Sequence, residues 1–272
     1  MKRSPRHWFE KCVSILKELG FKQCPNSPCL FSGVLIEGQP PIYLGVYIDD
    51  IAYFSESDEE AAFEEQFGSK IKTKFNGIIN YFLGIKFTYK DHKDGHISCY
   101  LTQEAFIDNL VKQFQLDGPN INCPRSPYHS GLPVDKIPKE EFHSKSSAAM
   151  IQMMQSMVGS LTWLSTSTHP DIATITNILA KYTLKANRGH INAAKRVINY
   201  LRHTRNMGIA FHSRDNSKLK SFVKFPLPDT GLHAMCDANW GPQDQSQLKE
   251  GKKYDDVDLF KSRSLSGYII WY

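Results

Sequence analysis

The sequence predicts an α+β protein, with antiparallel hairpins and helices in its first half and mostly helices in its second. Two observations predict this class, and a third predicts a division between the two halves. Short apolar runs separated by Pro, Gly and Asp occupy 25–53 and 81–101, as antiparallel strands do. Apolar residues recur at three- and four-residue spacings in the segments around them, which indicates amphipathic helices. The stretch 117–147 is rich in Pro, Ser, Gly and Lys, which predicts a linker.

The composition is that of a globular protein. The chain has 272 residues, 41% of them hydrophobic, enough for one large or two ordinary domains with sizeable cores. Lys and Arg outnumber Asp and Glu by 33 to 28, which permits a polyanionic partner without proving one. The six cysteines form no Cys-x-x-Cys pair, so we expect reduced thiols in an intracellular protein of the cytoplasm or nucleus. No apolar run approaches the ~20 residues of a membrane helix, so no membrane partner is expected.

The first element is an amphipathic helix over 7–20, where Gly20 stands at the expected stop. An antiparallel meander follows and ends in a hairpin over Ile42–Phe54. The tight turn of this hairpin falls in Tyr47-Ile48-Asp49-Asp50. Two adjacent carboxylates are costly to bury without a cation, and Mg²⁺ prefers oxygen ligands, so the pair is a candidate metal site. The alternative is an ordinary acidic turn, since Asp is a frequent turn residue.

The next elements are a helix over about 57–75 and a second hairpin. Ser57 and the acids after it suit the start of a helix, whose apolar stripe runs to Phe75. Tyr81–Tyr89 and His96–Leu101 are predicted to pair through an Asp-Gly turn. Thr102 then caps a further helix.

Beyond the linker, helices are predicted over 148–165, 170–186 and 189–204. The last has a polar face that carries Lys195, Arg196 and Arg202. This face is either a solvated charged surface or a phosphate-contacting one. The tail contains two strand-like runs, 231–237 and 264–272, separated by a charged insertion.

An ordered series of motifs resembles the C-terminal part of a Ty1/copia-type retrotransposon Pol polyprotein, in which a reverse transcriptase runs into RNase H. Tyr47-Ile-Asp-Asp50 is similar to the polymerase metal-binding motif, and Tyr81-Phe-Leu-Gly-Ile85 to the primer-grip hairpin. Val158–Leu164, His169–Ala173 and His190–Val197 resemble the thumb and connection block. Asp237-Ala-Asn-Trp240 and Ser266-Gly-Tyr268 resemble the start of RNase H. Each motif alone is weak, but the shared order is unexpected by chance.

The resemblance implies a partial reverse-transcriptase palm and primer-grip region over 1–116, a linker over 117–147, a helical thumb and connection over 148–228, and the truncated start of an RNase H-like domain over 229–272. It implies Mg²⁺ as cofactor, and an RNA/DNA primer-template and the remainder of a Pol polyprotein as partners. The implied site residues have three roles: Asp49 and Asp50 catalytic and metal-binding, Asp237 metal-binding, and Tyr47, Leu83, Gly84, Lys195, Arg196 and Arg202 nucleic-acid-binding.

The acids needed for polymerisation are not all identifiable. A two-metal site takes carboxylates from two strands, whereas no Asp precedes Asp49. The upstream acids Glu10, Glu18 and Glu37 lie in no context that resembles the family motif. We therefore expect an incomplete site and an RNA-directed DNA polymerase that is inactive alone. Two alternatives remain: a non-catalytic remnant that grips a primer-template duplex, and a segment of a longer active polyprotein.

Overall fold

A computed structural model describes residues 4–55, 57–93, 95, 97–119, 123–128 and 147–212, and the backbone of 233–239 and 265–271. The predicted α+β class is confirmed. The chain divides into two compact units. Unit 1 comprises 1–88 and 100–106, and unit 2 comprises 89–99 and 107–272.

The secondary structure within the described segments consists of six α-helices, a 3₁₀ turn and ten strands. The helices are α1 (Ser4–Glu18), α2 (Ser57–Lys70), α3 (Glu104–Gln113), α4 (Ala148–Ser167), α5 (Ala173–Ala180) and α6 (Arg188–His203). The 3₁₀ turn is Pro170–Ile172. The strands are β1 (Lys22–Cys24), β2 (Ser27–Gly33), β3 (Ile42–Tyr47), β4 (Asp50–Phe54), β5 (Tyr81–Phe82), β6 (Ile85–Asp91), β7 (Ile97–Thr102), β8 (Ile209–His212), β9 (His233–Asn239) and β10 (Leu265–Trp271).

Unit 1 is built on an antiparallel sheet of order β1-β2-β3-β4. Alternate residues of β3 point to opposite faces, so Ile42, Leu44 and Val46 are buried whereas Tyr43 and Tyr47 are exposed. The buried face packs with residues of α1 and α2 into one core cluster, which includes Leu16, Phe63 and Phe67. The core therefore fixes β3, and with it the start of the Asp-Asp hairpin.

Two helix ends in unit 1 show how the sequence sets the boundaries. Gly20 adopts φ +88° and donates its N–H to Lys17, while Phe21 donates to Leu16, so α1 stops where predicted. Helix α2 ends at Lys70, five residues before the predicted end. The Thr73 hydroxyl donates to the Ile71 carbonyl, a local bond that competes with helix continuation. Phe75 still packs against the core cluster, although it is not helical.

The second sheet has the order β5-β6-β7-β8, and its first hairpin is tighter than predicted. The run Tyr81–Tyr89 is not one continuous strand, because Leu83 and Gly84 form a two-residue turn between β5 and β6. Both have positive φ, +53° and +75°, as a type I′ hairpin turn requires. The long hairpin β6–β7 then follows as expected.

The helical part of unit 2 has well-formed helix starts. The Ser147 hydroxyl accepts the Met150 N–H at the start of α4. Asn187 and His190 form a reciprocal capping box at the start of α6. The buried faces of α4 and α6 are mostly apolar and include Leu161, Leu164 and Val197. The three predicted helices are present, although the second ends at Ala180 rather than 186.

A polar cluster links the 3₁₀ turn to α6. The Tyr200 hydroxyl donates to Asp171 Oδ2 at 2.6 Å, and His169 Nδ1 lies 3.4 Å from Asp171 Oδ1. Burial opposes ionisation of Asp171, but hydrogen bonding to His169 and Tyr200 outweighs it and holds the pKa of this carboxyl below its usual value. Burial and the Asp171 carboxylate raise the pKa of Tyr200 to about 12. Among the described residues, the acidic neighbour of the buried His169 ring is Asp171.

The tail forms a separate two-stranded sheet, in which β9 and β10 are antiparallel with Asp237 opposite Gly267. The predicted linker lies outside the described residues over 129–146, as does the charged insertion over 240–264. Among the helices described, none is long and apolar enough to cross a membrane.

Candidate functional site

The Asp-Asp hairpin has a two-residue turn. The last pair of the β3–β4 ladder is Tyr47 with Asp50, which leaves Ile48 and Asp49 as the turn. Asp49 and Asp50 are both exposed, as the predicted hairpin requires of two neighbouring carboxylates. Their oxygens are of the type that Mg²⁺ prefers, so the two residues fit part of a hard-cation site. Among the residues that the structure describes, no group of three or more His, Cys, Asp or Glu side chains could hold a metal ion.

Ile48 is a strained residue at the tip of this hairpin. Its φ is +50°, in the left-handed region that β-branched residues rarely adopt, and its side chain is 54% exposed. Such strain costs on the order of 1–3 kcal/mol and recurs at functional sites. The sequence pattern did not reveal it, because Ile indicates a strand rather than a left-handed turn position.

We expect Ile48→Asn to raise the free energy of unfolding by about 1 kcal/mol, because Asn tolerates the left-handed region and the Ile48 side chain is largely exposed. Urea unfolding of the purified chain measures the change. Ile78→Asn is the matched control: Ile78 is 74% exposed and has no positive φ, so we expect a change within about 0.5 kcal/mol. A lower stability for Ile48→Asn than for Ile78→Asn would contradict backbone strain at Ile48.

The outer face of the first sheet carries a row of large exposed side chains, of which only Tyr47 was assigned a role from the sequence. Tyr43 pairs with Phe54, and these rings are 59% and 68% exposed. Tyr47 lies on the same face beside Asp50 and is 49% exposed. Leu30, opposite Gly45, is 49% exposed. The alternation of β3 predicted this face in principle, since the residues between the apolar core positions include two tyrosines.

Leu83 and Gly84, the predicted primer-grip residues, lie at the tip of the β5–β6 hairpin. Both are half-buried. Their type I′ turn places the backbone, rather than a charged side chain, at this tip.

The predicted cationic face of α6 is largely occupied by contacts within unit 2. Arg202 donates to the carbonyls of Leu116 and Gly118 at 2.9 and 3.2 Å. Arg196 donates to the Ser126 carbonyl at 3.2 Å. These two arginines thus hold two described parts of the predicted linker, at Gly118 and Ser126, against α6. Lys195 is half-exposed and makes no such bond among the described residues.

Asp237, the predicted RNase H ligand, lies in β9. The backbone register places Asp237 opposite Gly267 and Ala238 opposite Ser266. The two segments that resemble the start of RNase H are therefore adjacent strands of one sheet.

Comparison with known proteins defines the class of the first part of the chain. Residues 1–126 match the reverse transcriptase (RNA-dependent DNA polymerase) family. This range contains the Asp-Asp hairpin and the Leu83-Gly84 turn.

The longer similarities are to transposon proteins. The chain is 27% identical over 274 residues to the retrovirus-related Pol polyprotein from transposon RE1 of Arabidopsis thaliana, which covers 100% of this chain and 16% of the relative. It is 27% identical to the corresponding RE2 polyprotein of the same plant, over 88% of this chain and 15% of the relative. A putative transposon Ty5-1 protein of Saccharomyces cerevisiae is 24% identical over 89% of this chain and 70% of that protein.

The chain is thus similar to Ty1/copia-type retrotransposon Pol polyproteins, as its motifs predicted. It spans about a sixth of the length of the RE1 and RE2 polyproteins, 16% and 15% respectively. No solved structure is significantly similar to it.

Proposed function

We propose that this chain is a reverse-transcriptase segment of a retrotransposon Pol polyprotein in which Asp49 and Asp50 supply part of a two-Mg²⁺ polymerase site. One observation carries the proposal: a strained two-residue turn presents both carboxylates to solvent at the end of a core-anchored hairpin. When bound, Mg²⁺ would activate the primer 3′-hydroxyl and neutralise the triphosphate. Asp49 and Asp50 would hold it, and Tyr47 would lie beside the primer end.

The site is proposed to be incomplete within this chain. Of the upstream acids, Glu10 pairs with Arg6 at 2.8 Å and Glu18 with Lys70 at 3.0 Å on helix surfaces, and neither lies in a context that resembles the family's aspartate motif. Within the described residues β4 pairs only with β3, so its other edge is open beside Asp50. A further strand that carries a carboxylate could pair there and complete the ligand set.

The outer face of the first sheet supports a nucleic-acid substrate. Tyr43, Tyr47 and Phe54 project from the face that also carries Asp50. Exposed aromatic rings contact the bases and sugars of nucleic acids, and a carboxylate among them needs a cation or water rather than an apolar cover. We therefore assign this face to the primer-template.

The finer division of the chain follows the motifs. The palm and primer-grip region is proposed over 1–116, the linker over 117–147, the thumb and connection over 148–228, and the start of RNase H, with Asp237 as a metal ligand, over 229–272. The pairing of β9 with β10 supports the last assignment, because it joins the two segments that resemble that domain.

Two measurements test the proposal. Mn²⁺, read by electron paramagnetic resonance, replaces Mg²⁺ as a probe, and we expect weak binding that Asp49→Asn with Asp50→Asn abolishes. Asp91→Asn with Asp117→Asn removes two exposed carboxylates elsewhere and should leave that binding unchanged. An equal loss of Mn²⁺ binding in both double variants would contradict a metal site at the hairpin. In the second measurement, we expect no Mg²⁺-dependent primer extension on an RNA template. Extension that Asp49→Asn abolishes would show that the site is complete.

The limited carboxylate set also supports a second candidate, a non-catalytic remnant that binds duplex. An in-frame aspartate-bearing strand encoded upstream of Met1 would instead favour a longer active polyprotein. Sequencing the nucleotides upstream of Met1 distinguishes the non-catalytic remnant from the longer active polyprotein.

A further inference from the structure

The connection between α5 and α6, together with the first residue of α6, carries a group of cations that have no acidic neighbours in sequence. Lys181, Lys185 and Arg188, here called the connector cations, are all exposed. From 172 to 207 the sequence contains no Asp or Glu. Within the described part of unit 2, none of the three forms an ion pair, whereas Arg205 of the same segment is paired with Asp108 at 3.1 Å.

The connection is a structured turn rather than a loose loop. Successive i→i−3 hydrogen bonds run through it, from Lys181 to Ile178 and from Lys185 to Tyr182. The Tyr182 ring stacks on His190 with centroids 4.2 Å apart, which ties the turn to the first turn of α6. The connector cations are therefore carried on one short segment with an ordered backbone, and little backbone entropy remains to be lost when they bind a partner.

The exposed line continues along α6. Arg188 and Lys195 are seven residues apart, two helical turns, which is about 10.5 Å along the axis. The exposed Asn192 lies between them. By contrast, Arg196 and Arg202 already donate to backbone carbonyls.

We propose that the connector cations, continued by Lys195, contact the phosphates of a primer-template duplex. This rests on the proposed function for its partner. The proposal assigns the phosphate contacts to side chains that form no ion pair in the described segments. Arg196 and Arg202 are not assigned this role because they hold the linker. The charge complementarity is direct, since uncompensated cations attract a polyphosphate backbone by counterion release.

The test is binding of a fluorescent RNA–DNA hybrid to the full chain at several salt concentrations. We expect Lys181→Gln, Lys185→Gln and Arg188→Gln together to weaken binding at least about 10-fold at low salt. The slope of log K against log salt should fall by roughly 2–3, near one per lost phosphate contact. The variant Lys181→Arg with Lys185→Arg keeps the charge and should bind like the unaltered chain.

The matched control neutralises three exposed lysines of unit 1 that lie outside the first sheet, Lys11, Lys17 and Lys72, with the same loss of charge. We expect its affinity to change less than about 2-fold, because no local phosphate contact is removed. Circular dichroism melting checks that each variant is folded. A connector variant that is folded and binds the hybrid with the unaltered slope would overturn the inference but leave the proposed function intact.

Two other outcomes are also decisive. If the unaltered chain fails to bind the hybrid at low salt, both the inference and the proposed duplex partner are overturned, whereas the Mn²⁺ measurement still tests the hairpin. If phosphatidylserine vesicles bind the chain through the connector cations while hybrid binding is unaffected by their loss, the surface belongs to a lipid partner and the inference is wrong.

Discussion

Phe63→Ala is expected to lower the free energy of unfolding by about 4 kcal/mol, a large share of the 5–15 kcal/mol that stabilises a typical domain. Phe63 is 1% exposed and lies at the centre of an aromatic group. Its ring centroid is 5.8 Å from Phe21, 4.9 Å from Tyr53 and 5.3 Å from Phe67. The substitution removes these ring contacts and leaves a cavity between α2 and the sheet.

The effect should reach the Asp-Asp hairpin, because Tyr53 belongs to β4. Phe54→Ala is the matched control: it is the same chemical change on the next residue of β4, at a ring that is 68% exposed, and we expect a loss below about 1 kcal/mol. Urea unfolding measures both. Similar losses for the two variants would contradict the assignment of Phe63 to the core of unit 1.

Glu59→Ala is expected to lower the free energy of unfolding by about 3 kcal/mol, although the residue is a glutamate on a helix. Its side chain is 0% exposed, and its Oε1 accepts the N–H of Ile36 at 2.8 Å. Both carboxylate oxygens lie 3.3 Å from the N–H of Leu35. Hydrogen bonds to a charged acceptor are stronger than neutral ones, and alanine would leave both donors without their acceptor.

The neighbouring variants separate the hydrogen bonds from helix effects. Glu65→Ala makes the same change at an exposed position of α2 and should alter the stability by less than about 0.5 kcal/mol. Glu59→Gln keeps one carbonyl acceptor. Its loss of unfolding free energy should therefore fall between the losses of the two alanine variants. A Glu59→Ala chain as stable as Glu65→Ala would show that Glu59 does not hold the segment at Leu35 and Ile36.

Local patterns were sufficient for most of the elements. The period-two alternation of Ile42–Tyr47 predicted β3 and its buried face, and Gly20 predicted the end of α1, because both depend on the chain within a few residues. The Asp-Asp turn was predicted for the same reason. The end of α2 was predicted wrongly. Its apolar stripe runs to Phe75, but Phe75 packs against the core cluster from outside the helix, which ends at Lys70.

The sequence by itself determined the α+β class, the similarity to retrotransposon Pol polyproteins and the position of the two carboxylates, because these depend on local periodicity and on ordered motifs. Tertiary structure alone decided which polar groups are engaged. Glu59 resembled a solvated first-turn acid but is buried against a distant segment. Arg196 and Arg202 resembled phosphate contacts but donate to carbonyls 70 and 84–86 residues away. Such long-range contacts depend on how elements pack, which no local spacing encodes.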